Sequence, residues 1–226
     1  MLKVGFIGII IAVHWIFFYK AIQISNISVT MMGFSTGTLF SSIIEPLVFR
    51  RKFRWYELFL GIGIVLGISM IFYTANLYRS GLVLGILAAL TSSYFGTMNG
   101  HFMKTMPASF LTRYQMLFAF SSLTLYMMLQ GDFNDAHWHP DSKSITGLLV
   151  LTLVCTVYPY IATLNLLKHI TPFTITLTVN LETIYGILWG ILFYQEHKEM
   201  NAWFYMGMSI ILICVFLNPL LKKYFS

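Results

Sequence analysis

The sequence predicts an all-α fold, a polytopic membrane protein of about eight transmembrane helices, and three observations predict it. Of its 226 residues, 58% are hydrophobic and only 10% are charged, against roughly 25% charged in soluble domains. The charges fall between long apolar runs rather than within them. One exception is Glu182, which lies between two stretches, 169–181 and 183–195, that hold no Asp, Glu, Lys or Arg. That segment reads as a single spanning helix with a carboxylate near its middle. A charge at such depth requires a partner, a water-lined cavity or a proton.

Segments free of Asp, Glu, Lys and Arg mark the spans in order: 4–19, 21–44, 58–78, 80–103, 114–131, 144–167, the pair of runs around Glu182, and 200–221. Each is long enough, or nearly so, to cross about 30 Å of hydrocarbon at about 1.5 Å per residue. Helices satisfy their own backbone in lipid, and barrel strands would be shorter and alternate in polarity. The first run, beginning at Met1, lacks a small-residue cleavage site and reads as a retained helix rather than a signal peptide. Pro172 belongs to the first turn of the helix after Lys168 and His169, where its missing donor costs little.

The basic residues orient the spans. Arg50, Arg51, Lys52 and Arg54 form the strongest short-loop cluster, and such clusters stay cytoplasmic. Alternation puts Lys3, His101, Lys104, Lys168, His169, Lys222 and Lys223 on the same side. The opposite side takes Arg79, Glu199 and the 132–143 loop. Both termini are expected inside, in a cell (inner) membrane. The net charge of +6 is spread between apolar runs, which argues against nucleic acid as a partner. Cys155 and Cys214 fall within apolar spans and read as packing residues; no metal and no cofactor is expected.

Compared with itself at an offset of 146, the chain lays His14–Gly61 over Tyr160–Gly207 without a gap. Ile24 meets Ile170, Thr30 meets Thr176, Lys52 meets Lys198 and Gly61 meets Gly207. Helices recur in the same order five apart, and an odd displacement reverses direction in the membrane, as in inverted repeats. The expected units are 1–78, with three helices, and 79–226, with five. This is an incomplete five-plus-five repeat, read as a truncated copy rather than an eight-helix variant.

Glu182 is the first candidate for substrate binding or proton coupling, against a packing role between helices. Asn180 lies near it in sequence but on another face. His14 in the first span needs a hydrogen-bond partner even when neutral, and is a second candidate. Tyr158 and Asn165, seven apart, share a helix face that Tyr160 does not; for both, interfacial anchoring is the competing reading. Glu45, ahead of the basic cluster headed by Arg50, reads as a gate residue or inner-end ion pair. Glu196 reads as a solvated helix-end charge. The run His137–Asp141 offers zinc ligands on paper, but it sits in a short polar loop without a further ligand set or nucleophile motif. A solvated loop is the better account.

Two stretches, HWIFFYKAIQISNISVT with FSTGTLFSSIIEPLVFRRK and YPYIATLNLLKHITPFTITLTVNLETIYGILWGILFYQEH, resemble the drug/metabolite transporter superfamily in its EamA-like branch. Leu181-Glu182 matches the family's Leu-Glu-Pro, with Thr183 in place of proline, and Gln195-Glu196 stands for its Gly-Glu pair. The resemblance implies ten helices in two inverted five-helix units, of which this chain looks like helices three to ten. The two absent helices would help wall the cavity.

The expected function is therefore secondary transport, export or uptake, of a small metabolite, amino acid or drug-like compound by alternating access. Its partners would be a small-molecule substrate, membrane lipid and, in a coupled cycle, a proton; a homodimer is compatible with the sequence. An inactive or regulatory membrane fragment is the alternative, and a membrane enzyme is a weaker one. The chain is not expected to be an enzyme.

Overall fold

A computed structural model describes residues 1–74, 78–131, 141–194 and 201–225. All of its regular structure is helical. In order it has α1 Leu2–Ile24, α2 Ile27–Ser35, α3 Gly37–Phe49, α4 Trp55–Thr74, α5 Arg79–Phe102, α6 Ala108–Gln130 and α7 Ser142–Leu149. A π-helical stretch Val150–Val157 leads into α8 Tyr158–Leu166, followed by α9 Pro172–Tyr194 and α10 Ala202–Phe225. Among the described residues, four helical runs are long and apolar enough to cross a bilayer: Leu2–Ile24, Ile27–Phe49, Arg79–Phe102 and Ser142–Leu166. Shorter apolar segments lie at Trp55–Gly67 and Ala202–Cys214.

Local chemistry sets the boundaries. Asn26, in extended conformation, starts α2 by accepting the Val29 N–H at 2.8 Å. The run expected to begin at 21 therefore divides, its first residues ending α1. Asp141 starts α7 in the same way, taking the Ser144 N–H at 3.0 Å. Two left-handed residues stop helices, Arg50 (φ 51°) after α3 and Gly131 (φ 74°) after α6. Pro172 opens α9, as its missing N–H favours.

Two spans depart from regular α-helix. Between α2 and α3 the Ser35 hydroxyl donates to Met32 O and the Thr36 hydroxyl to Gly33 O, both at 2.7 Å. These bonds compete with the backbone ladder and interrupt the helix. Upstream of α8, Pro159 supplies no N–H to the preceding turn. The ladder there widens, and the Tyr158 N–H reaches back to Leu153 O.

The chain forms two compact units, 1–12 with 99–170 and 13–98 with 171–226. In the second, Val29, Met32, Ile64, Leu82, Phe204 and Ile211 make the core. Helices α4 and α10 pack along each other closely. A Cβ on Gly67 would stand 2.7 Å from Gly207 O, and one on Gly63 would stand 2.5 Å from Cys214 Sγ. As one partner steps back from 67 to 63, the other advances from 207 to 214, so the pair is antiparallel. Helices α2 and α5 meet at Gly33 and Gly85, whose absent side chains let the backbones touch. In the first unit, Gly8 of α1 lies against the Gln115 backbone and Gly5 against the Phe118 ring, joining α1 to α6.

Candidate functional site

Helix α9 carries Glu182 near its middle, and α9 packs on α2 and α3 in a defined register. Gly186 lies over Met31, where a Cβ would be 2.7 Å from Met31 Cγ. Ser41 Oγ donates to Thr176 Oγ1 at 3.1 Å, and the Phe173 N–H reaches Glu45 Oε2 at 2.7 Å. As the first partner advances from 31 to 41 to 45, the second falls from 186 to 176 to 173. Glu182 is therefore level with Ser35 and Thr36, where the helix opposite is interrupted. Ser35 and Thr36 are buried, whereas Glu182 is exposed. Nothing is described of the Asn180 and Thr183 side chains beside it.

His14 is held differently. Its Nδ1 stands 2.9 Å from Ala88 O, and a carbonyl can only accept, so Nδ1 carries the hydrogen. The ring is enclosed by Phe18, Phe34 and Phe95, with centroids 6.0, 5.7 and 5.4 Å away. The partner that a buried imidazole requires is thus a backbone carbonyl, and His14 ties α1 to α5 within its unit.

At the end of α3 a charge cluster forms. Glu45 and Glu57 are 3% and 1% exposed. Arg51 lies between them, with Nε 3.1 Å from Glu45 Oε1 and Nη2 2.7 Å from Glu57 Oε2. Arg54 Nη1 approaches Glu57 Oε1 at 3.5 Å. Two guanidinium groups thereby face two carboxylates, which is what burial demands of charge. The ion pair expected of Glu45 has Arg51 as its partner rather than Arg50. Arg50 spends its backbone in the left-handed turn that ends α3 and is exposed, and the turn brings the next residue back onto Glu45. Glu57 was not singled out from sequence; its spacing of three from Arg54 was the available signal.

The other unit holds a closed polar ring. Asn99 Nδ2 donates to Tyr160 Oη at 3.0 Å, Gln115 Nε2 donates to Asn99 Oδ1 at 2.7 Å, and the Tyr160 hydroxyl donates to Gln115 Oε1. Each side chain gives one hydrogen bond and receives one, so three amphipathic groups from α5, α6 and α8 satisfy one another away from water. Gln115 escaped the sequence reading, although it is a strongly polar side chain in an otherwise apolar run. Tyr158 and Asn165, on α8 of this unit, are exposed. The residues 132–140, including His137 and His139, and Glu196 lie outside the described residues. No cluster of three or more His, Cys, Asp or Glu able to hold a metal occurs among the described residues.

A model of the EamA-like transporter family matches residues 79–218, from the first residue of α5 into α10. The chain belongs to the EamA-like transporter family. Comparison with curated proteins finds no match. Membership makes this EamA-like chain a polytopic integral membrane protein, in contact with lipid, of a family that transports rather than catalyses.

Proposed function

We propose that this EamA-like protein is a secondary transporter in which Glu182 engages cargo near the middle of the bilayer. The reading rests on one observation: an exposed carboxylate in the centre of an apolar helix, level with the Ser35–Thr36 interruption. A carboxylate in that position is expensive in lipid and is stabilised by a polar cavity, a cationic group or a proton. The interrupted turn opposite is the kind of backbone that transporters place beside a substrate site. The cargo is a small metabolite, amino acid or drug-like compound, and a proton taken by Glu182 in one half of the cycle provides coupling.

Eight crossing helices arranged as an incomplete inverted repeat, 1–78 and 79–226, belong to the same proposal. The 146-residue offset relates α4 to α10 and α2–α3 to α9, and both pairs pack antiparallel. Contact between counterparts running in opposite directions is what a two-fold axis in the membrane plane requires. The offset also pairs Thr36 with Glu182, which supports an axis beside the candidate site. In this arrangement Arg50, Arg51, Lys52 and Arg54 and both termini are cytoplasmic, the protein lying in the cell's inner membrane.

Proteoliposomes loaded with a panel of small amines, amino acids and organic ions test the reading. Glu182→Gln should abolish uptake or its dependence on a pH gradient, while Glu182→Asp keeps part of both. Equal uptake and equal pH dependence in Glu182→Gln would remove Glu182 from the mechanism.

A further inference from the structure

The turn joining α3 to α4 forms a recess of about 690 Å³, lined by the cations Arg51, Lys52 and Arg54 and the rings of Phe53, Trp55 and Phe59. We infer that it is a binding site for an anionic phospholipid, with the headgroup phosphate at Lys52 and an acyl chain along Trp55 and Phe59.

Charge is the first argument. Residues 50–54 contribute four cations, and the carboxylates that face them are Glu45 and Glu57. Those two carboxylates engage Arg51 and Arg54, leaving a positive excess at the exposed Arg50 and Lys52. A zwitterionic headgroup would bring an ammonium into that excess, whereas an anionic one brings only the complementary sign. The rings are the second argument. Trp55 and Phe59 are each 68% exposed and lie four apart in the first turns of α4. Phe53 meets Trp55 edge to face, with centroids 5.7 Å apart. Tyr56, buried and bonded by Arg54, also lines the recess, while Leu60 and Ile64 on the buried side of the same helix pack inward. A soluble anion would need the cations alone; adjoining exposed aromatic surface at the end of two apolar helices fits a ligand with both a phosphate and a chain.

Native mass spectrometry of the full chain in neutral detergent tests this, with phosphatidylglycerol and phosphatidylcholine titrated separately. Phosphatidylglycerol should bind with an affinity at least about fivefold higher, as expected for one basic residue near a phosphate. Lys52→Gln should lose about that factor, Arg50→Gln/Lys52→Gln more, and Trp55→Ala/Phe59→Ala should weaken binding with helix content unchanged. These side chains are exposed, so folding is not at stake. Equal affinity for the two lipids, or unchanged phosphatidylglycerol affinity in the double Gln variant, overturns the assignment. Competition by glycerol phosphate as effective as the lipid itself would make this a soluble-anion site and overturns it too.

Discussion

Glu45 and Phe173 stand 128 residues apart in the chain, yet the Glu45 carboxylate accepts the Phe173 backbone N–H at 2.7 Å. The end of α3 thereby caps the start of α9, whose first N–H groups have no partner within their own helix. The second oxygen of the same carboxylate holds Arg51.

Removing this side chain should therefore cost more than one interaction. Glu45→Ala leaves Arg51 short of a counter-charge and a helix N-terminus uncapped, a loss of about 3–5 kcal/mol. Glu45→Gln keeps an acceptor for Phe173 and should lose less. Unfolding in detergent, run as a double-mutant cycle with Arg51→Met, separates cap from charge; an additive cycle would deny the coupling.

The ring of Asn99, Gln115 and Tyr160 predicts a modest effect. Tyr160→Phe deletes two hydrogen bonds, each worth about 0.6 kcal/mol on average in bilayer proteins, and should cost roughly 1–2 kcal/mol. Gln115→Leu should cost more, because Asn99 and the Tyr160 hydroxyl lose a partner while still buried. Thermal unfolding of the purified variants measures both. No change in either would mean that the ring contributes nothing to stability.

Packing of α4 on α10 is open to a chemical test. In a Gly63→Cys variant with Cys155 replaced by Ser, mild oxidation should join position 63 to Cys214 and shift the product on a reducing-sensitive gel. Gly67→Leu should weaken the same contact by about 1–3 kcal/mol, since its side chain meets the Gly207 backbone rather than a movable side chain. Failure of the disulfide to form in folded protein would contradict the antiparallel register.

Asp141 gives a pH-dependent prediction outside the membrane. Hydrogen bonds from the Ser144 side chain and backbone hold its carboxyl below the usual aspartate range. A depressed folded-state pKa stabilises the α7 start above the unfolded value, about 3.9, and that support is lost as pH falls further. Protection of the Ser144 amide from exchange should decline in that acid range. In Asp141→Asn it should not depend on pH there.

The register of these helices could not be read where tertiary partners choose between neighbours. Arg50 and Arg51 are adjacent and chemically alike, and only the left-handed turn at Arg50 decides which faces Glu45. Gln115 and Asn99 lie in different runs, and nothing in either run announces the other. His14 was recognisable as a buried ring needing a partner, but the carbonyl of Ala88 that satisfies it belongs to a helix 74 residues away. The interruption at Thr36 depends on hydroxyls that in another setting would sit harmlessly within a helix.

By itself the sequence determined that the chain is helical and apolar, that Glu182 interrupts a span, and that Pro172 starts a helix. Those features follow from solvation and local backbone chemistry, which act within a few residues. Tertiary structure decided that Arg51 serves two carboxylates, that α9 runs antiparallel to α2–α3, and that Glu182 is level with Thr36. Each of these depends on which helix faces belong together. In lipid, where apolar surface drives no specific pairing, close glycine contacts and a few buried polar bonds select those faces.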